Sequence, residues 1–144
     1  MKKFVFILFL LCGVNLLWAY DSEDEFIQDL NACENKDKQA CKRLISFFEP
    51  RCNDKSLSKE VRGYACSVVG AAYSSNKEYR KAASFSQKGC DLNDAVGCGI
   101  LGSVFAIGGG GVKQNKAKAK EYYGKACDLG EQAGCDAYKI LNSI

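Results

Sequence analysis

The chain has 144 residues, with 20 Lys and Arg against 17 Asp and Glu, nine cysteines, one proline and no histidine. A formal charge of +3 leaves no basic excess for a nucleic-acid face, and the missing histidine excludes metal sites of the common imidazole type, so neither metal nor cofactor is expected. The length suits one domain.

Met1-Lys2-Lys3, an apolar run from Phe4 to Leu11 that continues to Trp18, and the small residue Ala19 are the three parts of a secretory signal peptide. Residues 1–19 are therefore expected to be removed after Ala19. Cys12 is expected to leave with them, because Leu10-Leu11 lacks the small residue that a lipoprotein signal places beside its cysteine. Residues 1–19 hold two of the basic residues and none of the acidic ones, which leaves 18 against 17, or about +1, in residues 20–144. The expectation is a nearly neutral domain, periplasmic or secreted, with no membrane attachment after cleavage. Eight cysteines remain, an even number in an oxidising compartment. With no C-x2-C pair and no histidine beside them, they read as disulfides and not as zinc ligands or a thiol oxidoreductase.

In chain order, Asp21 or Ser22 can cap a first helix at about 22–34, whose apolar positions are Phe26, Ile27, Leu30 and Cys33. A turn at 35–37 leads to a second helix, 38–49, which Pro50 is expected to stop. Residues 51–58 read as a loop, with Ser56 or Ser58 capping a helix over 59–73. Asn76 ends that helix and can open the next, which reaches Cys90. Further helices follow at 96–107, at 115–129 and from 132 to the C-terminus, with the glycine run Gly108 to Gly111 between the first two. The domain thus divides into an irregular first hairpin, about 22–58, and regular repeats, about 59–144. Lys113, Lys116, Lys118 and Lys120 read as a solvated outer face.

A cassette is written twice: Lys88-Gly89-Cys90-Asp91-Leu92 with Gly97-Cys98, then Lys125-Ala126-Cys127-Asp128-Leu129 with Gly134-Cys135, displaced by 37 residues. Cys33 and Cys41 make a third C-x7-C. Such a period marks an all-α stack of αα-hairpins. Each C-x7-C should staple two successive helices where a glycine-bearing connection reverses the chain. Three residues after the second cysteines stand Leu44, Val69, Leu101 and Tyr138, and seven after stand Phe48, Tyr73, Phe105 and Asn142. The polar substitution in the last copy fits a terminal helix with no neighbour to cover it. Gly70 and Gly102 recur four positions on, where a missing side chain lets helices approach closely despite a helix cost of roughly 1 kcal/mol.

Lys125-Ala126-Cys127-Asp128-Leu129-Gly130 with Gly134-Cys135, Leu101-Gly102 in the preceding helix, and Gly110-Gly111-Val112-Lys113 before Ala119-Lys120-Glu121-Tyr122-Tyr123 resemble the Sel1-like repeat. With C-x7-C units behind a signal peptide, the chain resembles the Helicobacter cysteine-rich protein family from about Cys33 onward, best over Cys66 to Cys135. The resemblance implies a TPR-like right-handed superhelix stapled by disulfides, with the pairs Cys33–Cys41, Cys52–Cys66, Cys90–Cys98 and Cys127–Cys135. A stack of hairpins presents an extended concave surface, so the expectation is a monomeric scaffold that binds a protein, a peptide or a cell-wall-related ligand there. The alternative is the β-lactamase or penicillin-binding activity attributed to family members, with a β-lactam or peptidoglycan-derived ligand. Ser56-Leu57-Ser58-Lys59 and Ser74-Ser75-Asn76-Lys77 match the S-x-x-K element of serine β-lactamases, but S-D-N and K-T-G elements are absent, so both read as helix caps and no catalytic residue is assigned. Gly108 to Gly111 lacks the strand and the Gly-Lys-Ser/Thr of a phosphate cradle and reads as a tight turn.

Overall fold

The computed structural model describes residues 23–143; the expected signal peptide, Cys12 and the Asp21 or Ser22 cap lie outside the described residues. Among these residues there are seven helices: α1 (Glu23–Glu34), α2 (Lys38–Asn53), α3 (Lys59–Ser75), α4 (Tyr79–Asp91), α5 (Ala95–Ile107), α6 (Lys116–Asp128) and α7 (Gln132–Asn142). Each packs against the next, in a stack of αα-hairpins. Disulfides join Cys33 to Cys41, Cys52 to Cys66, Cys90 to Cys98 and Cys127 to Cys135, with Cα atoms 4.7, 4.7, 4.5 and 4.5 Å apart.

The C-x7-C spacing follows from one turn, used repeatedly. At the end of α4, Asn93 N–H donates to the Cys90 carbonyl and Asp94 N–H to the Gly89 carbonyl, while Asn93 takes φ 64°; this is a Schellman motif. The residue that closes it, Asp94, is also the N-cap of α5, its carboxylate accepting from Gly97 N–H at 2.9 Å. Cys90 lies four residues before that cap, and Cys98 lies four residues after it, donating its N–H to the Asp94 carbonyl. Four plus one helical turn of four makes C-x7-C. The same bonds recur around Lys36 and Asp37 and around Gly130 and Glu131. The expected glycine at the reversal is thus Asn93 in one turn and Lys36 in another, both in the left-handed region.

Gly89 and Gly97 serve the helix crossing instead. The Ser67 hydroxyl of α3 wedges between them, where a Cβ on either would come within 2.4 or 2.5 Å of it. That hydroxyl donates to the Asp94 carboxylate at 2.6 Å, with the Gly63 carbonyl of its own helix at 3.0 Å, so a buried polar group is satisfied by its own helix and by the cap of α5. Gly70 and Gly102 act as expected: a Cβ at Gly70 would lie 2.2 Å from the Ser86 hydroxyl, and one at Gly102 would lie 2.8 Å from the Tyr123 ring.

Two expectations need correction. Pro50 does not stop α2, and residues 51–53 are helical instead of loop. Proline removes one backbone bond, but side chains supply others to this last turn, with Arg51 donating to the Phe47 carbonyl and Asn53 to that of Glu49. Arg51 also lies over the Phe47 ring at 3.6 Å. Phe47, Phe48 and Cys52 are buried, so packing holds the turn in register. As a result α2 is stapled at both ends, through Cys41 to α1 and through Cys52 to α3. The wider Cys52–Cys66 spacing has a matching cause: the connection lacks the left-handed residue, and α3 starts at the Ser58 cap, two turns before Cys66.

The core is thickest around α3, whose residues from Ala65 to Gly70 are all buried, and it thins toward the C-terminus. A separate small cluster of Cys90, Cys98 and Ala126 backs α6. In α7 Gly134 alone is buried among the described residues. Lys139 stands where α3 and α5 have Gly70 and Gly102, and exposed Asn142 stands where they have Tyr73 and Phe105. A further helix would find a long side chain where it needs a gap.

Candidate functional site

Helix α5 carries no charged residue, and none follows until Lys113. A helix apolar on all sides is normally enclosed. This one leaves Val96 49% and Ile107 60% exposed. Counted from the second cysteine of each staple, the outward row on α5 is Val96, Ile100, Ser103 and Ile107, spaced by four, three and four residues and so on one face. The matching row on α3 is Tyr64, Val68, Ala71 and Ser75, and on α7 it is Ala133, Ala137 and Ile140. None of the eleven is charged.

Helices α3 and α5 pack closely on each other, whereas α4 and α6, their counterparts in the other layer, meet through side chains, the Tyr122 hydroxyl donating to Gln87 and Lys125 to the Cys90 carbonyl. At this junction the stack therefore bends toward α3 and α5, and their rows lie on its inner side; α7 makes no comparable contact with α5 among the described residues. Val68 is buried and forms the floor, with Ile100 half-buried beside it, while Tyr64, Val96, Ile107 and Ile140 stand out from it. Tyr64 is braced edge-on against Phe48, ring centres 5.9 Å apart. Burial pushes its phenol above the usual tyrosine range and the nearby Asp94 carboxylate pushes the same way, so the ring stays neutral. The Ser103 hydroxyl is used within the fold, donating to the Gly99 carbonyl and accepting from Tyr123. The face offers apolar surface and no free charge.

The outer layer is built differently. Lys81 lies over Tyr73 and Lys118 over Phe105, at 4.9 and 5.0 Å, and those rings stack on Phe85 and Tyr122 in turn. Lys120 covers Tyr138. Part of the lysine cluster is thus packing material, its stems and charges lying on aromatic faces at the junctions between repeats. Lys113 and Lys116 are exposed. An open depression of about 260 Å³ lined by Lys116, Ala117, Lys120 and Leu141 is smaller than a usual small-molecule site, roughly 300–1,000 Å³.

The eight cysteines are placed as staples, at hairpin bases. Neither S-x-x-K match is arranged for catalysis. Ser56 is in the α2–α3 connection with its hydroxyl donating to Asp54 at 2.7 Å, and Ser58 caps α3. Ser74 and Lys77 straddle the end of α3, where Lys77 has φ 61°, so no helical turn brings the amine back over the hydroxyl. Gly108 to Gly111 all have positive φ, and the run lies against Tyr79 and Arg80 of α4, where a Cβ at Gly111 would strike the guanidinium. The inner face was missed in the sequence because it is an absence, eighteen residues from Ala95 to Val112 without a charge. That signal was available.

No family model matches the sequence, and no curated protein does. Among solved structures the chain is similar to Helicobacter pylori cysteine-rich protein B, with 29% identity, 79% of this chain and 92% of that chain covered, and a TM-score of 0.48. The stacked αα-hairpins and disulfide staples that the cassette resemblance implies are both present in the structure.

Proposed function

We propose that residues 20–144 form an exported, disulfide-stabilised, Sel1-like repeat scaffold that acts as a monomer and binds a protein or peptide on the inner face of α3, α5 and α7. The observation that carries this reading is the uncharged helix α5, which exposes Val96 and Ile107 on the inner side of the bend. Exposed apolar residues grouped on one face mark interaction surfaces, and a stack of hairpins offers an extended one. A β-lactam or a peptidoglycan fragment carries a carboxylate, and the eleven residues of the row hold no cation to meet it. Apolar peptide side chains fit better. Four disulfides in a chain of this size support export to an oxidising compartment, following cleavage after Ala19. Among the described residues no helix is long and apolar enough to cross a membrane.

The test is selection of displayed peptides on the oxidised protein, followed by photo-crosslinking of an enriched peptide. Crosslinks at Tyr64, Ile100 or Ile107 support the reading. Crosslinks confined to α4 and α6 would place binding on the other layer. Nitrocefin turnover that stays with the protein through purification, and is lost in a disulfide-deficient variant, would replace the scaffold reading with the hydrolase one.

A further inference from the structure

The four staples differ in access. Cys33, Cys41, Cys52, Cys66, Cys90 and Cys98 are all buried, at 3% exposure or less. Cys127 and Cys135 are both partly exposed. The helix that this last staple holds, α7, packs on α6 alone among the described helices and fully buries one residue, Gly134, so less packing resists its release than at the other staples. Thiol–disulfide exchange requires a thiolate to reach a sulfur. Buried sulfurs exclude it until the surrounding helices open.

We propose that Cys127–Cys135 is a thiol-exchange site, opened by an exogenous dithiol while the other three staples remain closed. The two sulfurs are not equivalent. Cys127 is the penultimate residue of α6, where carbonyl ends disfavour a thiolate, whereas Cys135 lies in the first turn of α7, where N–H groups stabilise one. The incoming thiolate therefore bonds to Cys127 Sγ as the Cys127–Cys135 bond breaks, and the electron pair leaves on Cys135 Sγ. The second thiolate of the dithiol then attacks the reagent sulfur bonded to Cys127, releasing Cys127 as a thiolate and leaving the reagent as its own disulfide. Two electrons pass from dithiol to protein. Around the pair in sequence Asp128, Glu131 and Asp136 outnumber Lys125 and Lys139, and the Lys125 ammonium is held by the Cys90 carbonyl, so a cationic thiol approaches more readily than an anionic one.

The test treats the folded, oxidised protein with dilute dithiothreitol, quenches in acid, alkylates and maps the labelled peptides. Cys127 and Cys135 should be labelled at least about tenfold faster than the other six, at a rate insensitive to low urea. Another pair opening first, or all four opening together with the urea dependence of global unfolding, would overturn the proposal. With monothiols, cysteamine should outpace 3-mercaptopropionate and leave its adduct on Cys127. The reverse order, or an adduct on Cys135, would refute the electrostatic and directional parts. None of these readouts needs a binding partner.

Discussion

The α3–α4 connection is the same Schellman turn as the stapled ones, but it carries no disulfide. Lys77 N–H donates to the Ser74 carbonyl, Glu78 N–H to that of Tyr73, and Ala82 N–H to that of Glu78. Ser74 and Ala82 therefore occupy the two cysteine positions of the C-x7-C. We predict that Ser74→Cys with Ala82→Cys forms a fifth disulfide spontaneously. The three stapled Schellman turns have Cα separations of 4.5 to 4.7 Å, within bonding range. Closing a loop of this length removes about 2.5 kcal/mol of chain entropy from the unfolded state. For a domain of this size that should raise the melting temperature by about 8–12 °C. The assay is thermal unfolding by circular dichroism of the oxidised double variant against the oxidised parent and the two single variants, with thiol counting to show closure. If the pair stays reduced in air, or the closed double variant melts no higher than the parent, then the turn does not set the cysteine spacing.

Replacing Cys90 and Cys98 by serine should lower the melting temperature more than the same change at Cys127 and Cys135, since it leaves two hydroxyls in a dry core at roughly 1–3 kcal/mol each besides the lost loop closure; thermal melts of the two double variants decide it, and a terminal variant that melts as low would show α7 to be more than a passive end. Gly102→Ala should destabilise by about 1–3 kcal/mol because its Cβ meets the Tyr123 ring, while Gly99→Ala, whose Cβ has 4.0 Å to the nearest atom, should gain up to about 1 kcal/mol in urea titrations. Lys139→Gly with Asn142→Phe should turn the end of the stack into a docking face, seen as concentration-dependent association in sedimentation velocity, which the parent should lack.

The periodic parts of the fold were legible because backbone geometry and cysteine spacing are coupled: the cap, the reversal and the staple occupy fixed positions, and the 37-residue displacement repeats them. Gly70 and Gly102 were legible for the same reason, as repeated exceptions to helix propensity. What escaped was set by tertiary context. Pro50 has the local chemistry of a stop, yet buried Phe47, Phe48 and Cys52 carry the helix past it. Asn93 and Lys36 do the work assigned to glycine because the closing hydrogen bonds fix the turn. Cys52 and Cys66 lie outside the common spacing because their connection is built differently. The inner face could be seen in sequence only as a missing charge, and its meaning depends on which side of α5 the neighbouring helices leave open.

The most direct test of the scaffold account is the affinity of a display-selected peptide for two charge-insertion variants, Ile107→Lys on the inner face and Lys116→Glu on the outer layer, by isothermal titration calorimetry. Both positions are exposed, so both variants should fold as the parent does by circular dichroism. The account predicts that Ile107→Lys weakens binding by roughly tenfold or more, because a lysine replaces an apolar contact, and that Lys116→Glu leaves it unchanged. Unchanged affinity in Ile107→Lys together with lost binding in Lys116→Glu would contradict it.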